Sequence, residues 1–161
     1  MKKVTGCTIS ISSRFAVLAM LAALLAPVIS PAQERAEAAE AKAFVARAIA
    51  LYDTGGREAA FSAIEDPNGG LVDHDLYVFV YGPDRTIVAH GSNPSLVGTD
   101  VDGYVDDDGL HFGTKFMDEA TESGIWLDYK WHDPVSGAVL PKSSWLVRHD
   151  GYVFGAGIYK P

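Results

Sequence analysis

The sequence predicts an α+β domain in which helices pack against one antiparallel sheet. Helical periodicity is limited to residues 33–65 and to a short stretch near residue 115, whereas aromatic and β-branched segments bounded by turn residues fill most of the chain after residue 70. Helices and strands therefore do not alternate in the way that a parallel sheet requires. This distribution favours strands that pair through turns, with the helices outside the sheet.

Two helices are predicted at the start of the domain. Residues 33–52 form the first, because apolar side chains recur at every fourth position and charged ones occupy the other side. Gly55-Gly56 interrupts the pattern, and residues 57–65 form a second, short helix that stops at Asp66-Pro67. The apolar stripe of the first helix contains Phe44, Ala48 and Tyr52.

Strand signals dominate the rest of the chain. Residues 76–81 are apolar on both faces, and a tight turn at residues 82–85 leads into residues 86–90, which predicts a hairpin. An irregular acidic segment follows, and Asp108 is placed to cap a helix over residues 110–122. The last three strands are predicted over residues 125–131, 143–148 and 152–159.

The first 32 residues predict a secretory signal peptide. Basic residues precede an apolar run over residues 15–26, and small residues end the segment at Ser30-Pro31-Ala32. The run is shorter than the ~20 residues of a spanning helix, which favours cleavage after Ala32 over the alternative, an uncleaved membrane anchor. We therefore expect an exported, periplasmic protein whose mature part, residues 33–161, is a single domain.

Charge and cysteine usage exclude several classes of function. The chain has 13 basic and 21 acidic residues, and loss of the signal peptide removes Lys2, Lys3 and Arg14 but no acidic residue, so the mature domain has a formal charge of −11. Nucleic acid and anionic membrane surfaces repel such a domain. The only cysteine, Cys7, is lost with the signal peptide, which excludes disulfides and thiol chemistry.

The sequence contains no motif typical of a metal site, a cofactor site or a catalytic centre. The five histidines lack the i, i+4 spacing of a metal-binding helix, and the acidic residues 100–109 miss the ligand positions of a calcium loop. Neither a nucleophile elbow nor a phosphate-binding glycine loop occurs. We therefore expect no metal, no cofactor and no catalytic residues. The weaker alternative is a periplasmic enzyme that uses Lys142 and His90.

Aromatic side chains and one lysine form the strongest candidate site. The rings share faces of predicted strands, and the lysine lies on the strand that follows. A lysine beside buried rings costs free energy unless it is paired, and an anion such as a carboxylate supplies that pairing. The alternative is a structural or assembly protein in which these rings form a filled core. The candidate residues are Tyr77, Phe79, Tyr129, Trp131, Lys142 and Trp145.

Three ordered motifs give the chain a resemblance to a known family. They are the hairpin that ends in His90, the stretch Gly124-Ile-Trp-Leu-Asp-Tyr-Lys-Trp131, and the run from Pro141-Lys142 through Ser144-Trp145 to Gly155-Ala-Gly-Ile-Tyr159. Together with the long helix before residue 55, they make the chain resemble the single Cache domain, type 2, an extracytoplasmic sensor module of many bacterial chemoreceptors and histidine kinases. The motifs cover nearly the whole mature domain.

The resemblance implies a PAS-like, five-stranded antiparallel sheet with a long N-terminal helix, a helix-bearing crossover and a pocket for small organic acids on one sheet face. It assigns Lys142 to the ligand carboxylate. Two positions depart from the family pattern: Gly91 replaces a proline and Trp145 replaces a tyrosine, so the identity of the ligand does not transfer. The implied pocket lining is Tyr77, Phe79, His90, Tyr129, Trp131 and Trp145.

Combined with the export signal, the resemblance implies a periplasmic sensor protein. The sequence carries no kinase, chemoreceptor or cyclase domain after the predicted sheet, so we expect a stand-alone, non-enzymatic domain that reports ligand occupancy to a separate membrane-bound partner. Within that domain, residues 33–66 supply the N-terminal helices and residues 71–161 the sheet.

Cleavage after Ala32 gives the first testable prediction. N-terminal sequencing of the exported protein should find Gln33 as the first residue, because the apolar run is too short for an anchor and small residues follow it. Exported material that still begins at Met1 would show that the segment is retained.

Overall fold

The computed structural model describes residues 35–160, so the predicted signal peptide lies outside the described residues. Two α-helices and six strands form an α+β fold within that range, as predicted. The helices are α1 (Ala38–Glu65) and α2 (Phe112–Glu119), and the strands are β1 (Val72–Asp73), β2 (Leu76–Tyr81), β3 (Ile87–His90), β4 (Ile125–His132), β5 (Val139–His149) and β6 (Tyr152–Tyr159).

Five strands pair antiparallel in the order β3-β2-β6-β5-β4, which confirms the predicted five-stranded sheet. The two-residue strand β1 adds to the start of β2, and two residues are too few to carry a periodic signal. β2 and β6 lie next to each other although they are far apart in the sequence. The sheet is therefore complete only when the N-terminal hairpin meets the C-terminal strands.

The two helices predicted at the start of the domain are confirmed as two helical segments of α1 that meet at Gly56. Gly56 has φ 79° and ψ 174°, far from helical values, and it interrupts α1 where Gly55-Gly56 predicts a break. The helix begins at Ala38, not at residue 33, so the predicted start is wrong. A cap explains the position of the start, because the Glu40 carboxylate accepts the Glu37 N–H at 2.7 Å.

α1 covers one apolar face of the sheet, formed by alternate residues of the strands. Ala41, Val45 and Ala48 are fully buried, and such short side chains allow the helix to lie close to the strands. The predicted stripe is therefore displaced around the helix. Ala48 is on the buried side as expected, whereas Phe44 and Tyr52 are only half-buried at its margins.

The other apolar face packs against α2 and the segment that leads to it. The predicted α2 stripe of Phe112, Phe116 and Ala120 is buried. It contacts Phe79 and Tyr129 of the sheet, with ring centroids 6.0 Å apart for Phe79 and Phe116 and 4.7 Å apart for Phe112 and Tyr129. The crossover between β3 and β4 therefore forms a cover over this face.

The predicted cap and bounds of α2 are wrong. The helix spans eight residues and has His111 at its N-cap position, without a capping side chain. Asp106, not Asp108, organises the preceding turn, because its Oδ1 accepts the N–H of Leu110 at 2.9 Å. Its Oδ2 accepts the N–H of Lys130 at 3.1 Å, which fixes the acidic segment to the outer edge of β4.

The last hairpin has a two-residue turn. β5 is longer than the predicted residues 143–148 at both ends. Asp150 and Gly151 connect it to β6 with φ values of 47° and 82°, the left-handed pair of a two-residue hairpin loop. This turn fixes the register of the two strands and places Lys142 opposite Tyr159.

Gly91, the first departure from the family pattern, occupies a crowded position. A Cβ on this residue would lie 2.9 Å from Cγ2 of Val72 and 3.1 Å from the carbonyl oxygen of Ile64. Its N–H also donates to the carbonyl oxygen of Val78 at 2.9 Å, a hydrogen bond that proline cannot make. The departure is therefore required by the packing between α1, β1 and β2.

Gly155 of β6 allows a second close approach and gives a test of the core. A Cβ at this position would lie 2.3 Å from Cζ of Phe79, so Gly155→Ala must displace that ring. We expect the free energy of unfolding in urea to fall by about 1–3 kcal/mol, as for other overpacked cores. Gly103→Ala is the matched control, because no atom lies within 4 Å of its added Cβ. Equal effects of the two changes would contradict the packing.

Candidate functional site

Lys142 is a fully buried cation at the centre of the candidate site. The side chain has 0% exposure, and the register of the sheet places it between Tyr129 on β4 and Tyr159 on β6. Gly157 makes room for it, because a Cβ there would lie 2.4 Å from Cε of Lys142. A lysine is thus held inside the domain by the spacing of small and aromatic residues on three strands.

Two tyrosine hydroxyls accept hydrogen bonds from the ammonium group. Nζ of Lys142 donates to Oη of Tyr77 at 2.7 Å and to Oη of Tyr159 at 3.2 Å. The Tyr159 hydroxyl in turn donates to the carbonyl oxygen of His132 at 2.5 Å. Burial lowers the pKa of Lys142, and the nearby Tyr77, Asp75 and Asp133 oppose that effect.

The ammonium group retains capacity for a ligand. It carries three N–H bonds, and two of them have partners among residues 35–160. Both partners are neutral hydroxyls, so no carboxylate of the described chain makes a direct ion pair with Lys142. An anionic oxygen at the third N–H would supply the charge partner that the site lacks.

His90 supplies a polar group beside the lysine. Nδ1 of His90 accepts the N–H of Asn93 at 3.1 Å, so the neutral ring has its hydrogen on Nε2. Its ring centroid lies 4.9 Å from that of Tyr77. Burial, assisted by the charge of Lys142, lowers the pKa of His90 to about 3. The ring is therefore a neutral hydrogen-bond donor at physiological pH.

Tyr129 completes the polar groups of the site. Its hydroxyl lies 3.0 Å from Oγ of Ser144, and the residue is only 7% exposed. Burial raises the pKa of the Tyr129 hydroxyl well above its usual value, which keeps it protonated. Tyr129 can therefore exchange its bond to Ser144 for one to a ligand oxygen.

The rings around these groups enclose very little space. The cavity has a volume of about 10 Å³, room for about one water molecule. A separate, open groove of about 270 Å³ reaches Lys142 and Tyr129 beside Leu110 and Pro141. The small cavity is lined by Tyr77, Phe79, Tyr81, Ile87, His90, Tyr104, Phe112, Tyr129 and Trp131.

The structure brings six of the seven predicted site residues to one face of the sheet. Five of them line the small cavity, and Lys142 is joined to it through the hydroxyl of Tyr77. The aromatic residues that the sequence analysis did not assign to the site are Tyr81, Tyr104, Phe112 and Tyr159, and most of them belong to the crossover or to the last strand.

Trp145 is placed wrongly by the sequence analysis. It follows Lys142 by three residues on the same strand, and an odd separation puts two side chains on opposite faces of a sheet. Its ring lies on the α1 side, 5.5 Å from that of Trp126, with Nζ of Lys42 4.2 Å from its centroid. The bulk that replaces the family's tyrosine therefore stays outside the site.

Solved structures with the same fold identify the class of protein. A methyl-accepting chemotaxis protein from Vibrio parahaemolyticus RIMD 2210633 is 25% identical, with a TM-score of 0.65 over 75% of this chain and 86% of that chain. A periplasmic sensor domain of a chemotaxis protein is 27% identical, with a TM-score of 0.58 over 76% of this chain and 90% of that chain. The fold is thus that of a sensor domain.

A third structure, described as showing carboxylic acid recognition by a Cache chemosensory domain, is 18% identical and shares the fold. Its TM-score is 0.56, and the match covers 76% of this chain and 88% of that chain. The family model of the single Cache domain 2 matches residues 16–157. The chain therefore belongs to the single Cache domain 2 family. No curated protein matches the sequence significantly.

None of the helices within residues 35–160 has the length and apolar character needed to cross a membrane. The same range holds no cluster of three or more histidine, cysteine or carboxylate side chains that could bind a metal ion.

The buried, neutral His90 predicts a pH dependence of stability. Below pH ~6.5 the unfolded chain binds a proton at His90 that the folded chain excludes down to about pH 3, so stability falls as pH falls through this window. Between pH 7.5 and pH 5 the free energy of unfolding should drop by about 2 kcal/mol in urea titrations. His90→Gln should remove most of that drop, and an unchanged slope in the variant would contradict the assignment.

Proposed function

We propose that this domain is an exported sensor that binds a short carboxylate at Lys142 and reports its presence to a membrane-bound partner. The observation that carries the proposal is the fully buried ammonium group, which has only neutral hydroxyls as hydrogen-bond partners in the described chain. A buried cation without a direct counter-ion is costly, and an anion of matching size removes that cost. The family and the fold support the sensor role.

The ligand is small, because the enclosure is narrow. The 10 Å³ cavity has to widen before it can admit even a short acid, and the ring of Phe112 on the cover lies next to Tyr129. Exposed ion pairs hold the outside of the cover, such as Lys130 with Asp108 at 2.7 Å, and such pairs contribute little to stability. An outward movement of the segment before α2 would open the site, and its cost comes mainly from separating Phe112 from Tyr129.

The carboxylate class follows from the donors in and beside the cavity. His90 and Tyr129 line the cavity and offer a neutral N–H on Nε2 and a hydroxyl. Lys142 lies behind the Tyr77 hydroxyl and offers a charged N–H. A carboxylate has two oxygens and therefore can accept from several of these donors at once. The net charge of −11 on the mature domain weakens attraction at long range, but salt screens that field beyond about 10 Å.

Export and a signalling partner are the second half of the proposal. The predicted signal peptide supports export, and the similar structures are a chemotaxis receptor and a periplasmic sensor domain. The partner we propose is a membrane-bound receptor or kinase that recognises the occupied state.

A second candidate function is favoured by the size of the cavity. Rings that leave about 10 Å³ are also compatible with a filled core in a structural or assembly protein. In that case Lys142 stabilises the fold through its tyrosine partners and binds nothing. The two functions differ in the behaviour of Lys142 variants.

Lys142→Met separates charge from packing. The change keeps the length and apolar bulk of the side chain but removes the cation, so we expect affinity for acetate or propionate to fall by about 2–4 kcal/mol. Calorimetric titration measures this loss. Without ligand, the free energy of unfolding should stay the same or rise. Lys115→Met is the matched control, because Lys115 pairs with Glu119 on the exposed side of α2.

Tyr129→Phe removes one neutral hydrogen bond, and we expect it to weaken acid binding by only about 0.5–1.5 kcal/mol. Two results together would instead support the filled core. Lys142→Met would strongly destabilise the ligand-free domain, and the native protein would bind neither acetate nor propionate.

A further inference from the structure

Two buried carboxylates and an exposed arginine lie behind the binding site, where the sheet meets the start of α1. Arg35 precedes α1 and donates to Oδ2 of Asp75 at 3.1 Å and to Oδ2 of Asp133 at 3.0 Å. The two carboxylates are 2% and 0% exposed. Buried carboxylates of this kind require a cation, and Arg35 supplies it to both.

Each carboxylate is also fixed by its own segment of chain. Asp75, between β1 and β2, accepts the N–H of Ala36 at 3.3 Å. Asp133, directly after β4, accepts the hydroxyl of Ser136 at 2.6 Å and the N–H of Val135 at 3.1 Å. Arg35 therefore joins three parts of the sequence at one point. Its hydrogen bonds to the two carboxylates outweigh the effect of burial and raise its pKa.

Tyr159 connects this set to the binding site. Cζ of Arg35 lies 5.9 Å from the centroid of the Tyr159 ring, whose hydroxyl accepts from Lys142 and donates to the carbonyl of His132. His132 directly precedes Asp133. The charges of Asp75 and Asp133 also favour the protonated form of Lys142. The two cations thus lie near the same ring, and both are influenced by the same pair of carboxylates.

Lys142 and Arg35 carry two positive charges, and Asp75 and Asp133 carry two negative ones. Arg35 pairs directly with both carboxylates, whereas Lys142 contacts neither of them. A carboxylate at Lys142 adds a negative charge, which makes the surroundings of Arg35 more favourable for a cation. Linkage requires the reverse effect to be equal: the charge of Arg35 strengthens the binding of the anion.

We propose that Arg35 is a positioning residue that, through Asp75 and Asp133, couples anion binding at Lys142 to the attachment of the start of α1. The coupling rests on the proposed carboxylate function of the site. The coupling would allow the site to transmit a signal, because ligand binding changes how firmly the first turn of α1 is held to the sheet. Arg35 itself does not touch the ligand.

Charge-balance variants test the coupling by titration with acetate and propionate. Arg35→Gln leaves two carboxylates facing one cation, and we expect affinity to fall about 5- to 20-fold, within the usual range of coupling between sites. Arg35→Lys keeps the charge and should retain most of the affinity. The double variant Arg35→Gln, Asp75→Asn restores neutrality and should recover it, whereas a purely structural role would make the second change harmful.

Hydrogen exchange gives the second readout. In the native chain, acetate should slow exchange of the amides in the first turn of α1, and in Arg35→Gln it should not.

The Lys142→Met variant separates the carboxylate function from the coupling to α1. If it loses acid binding but Arg35→Gln keeps full affinity, the coupling alone is overturned. If Lys142→Met binds both acids as well as the native chain does, or the native chain binds neither, the carboxylate function and the coupling both fail.

Discussion

The burial of one ammonium group organises much of this domain. A lysine with no exposed surface is unfavourable unless its charge is compensated, and several features of the fold provide that compensation. Tyr77 and Tyr159 present their hydroxyls to it, and Gly157 leaves the space through which its side chain passes. Two buried carboxylates lie behind the tyrosines and are themselves balanced by an arginine.

The surroundings of the lysine combine rigidity with one movable side. The sheet face under Lys142 is fixed by strand pairing on both sides of β5. The opposite side is the crossover between β3 and β4, which packs through Tyr104, Phe112 and Phe116 and carries ion pairs on its outer surface. It makes fewer backbone hydrogen bonds to the sheet than a strand does, among them Ile87 N–H to Thr99 and Val101 N–H to Arg85, and local opening is easiest where such bonds are few. A site that is closed without ligand can therefore still bind one, provided that the crossover moves.

Much of this arrangement could be predicted from the sequence. The α+β class, the five strands and the kink at Gly56 follow from periodicity and turn residues, and six site residues follow from the aromatic faces and the family motifs. Tyr159 could also have been predicted as a site residue. A two-residue turn at Asp150 and Gly151 fixes the register of β5 and β6, and that register pairs Tyr159 with Lys142. Trp145 could have been excluded from the site in a similar way. It is three residues from Lys142 on the same strand, and an odd separation puts the two side chains on opposite faces of the sheet.

Other features depend on contacts that local patterns do not reveal. The link from Arg35 to Asp75 and Asp133 spans 40 and 98 residues, and an arginine just before a helix has no signal that names its partners. The start of α1 and the turn before α2 depend on the carboxylates of particular residues, Glu40 and Asp106, and the sequence offers several acidic candidates for each. The cavity volume depends on the rotamers of many rings.

The contact between Asp106 and β4 has a consequence for how the protein behaves in a crowded compartment. β4 is a terminal strand of the sheet, and its outward N–H and C=O groups are a template for pairing with another chain. The carboxylate of Asp106 occupies one of these donors, the N–H of Lys130, and the charged side chains of Asp128 and Lys130 flank it. The acidic crossover thereby protects the sheet from edge-to-edge aggregation.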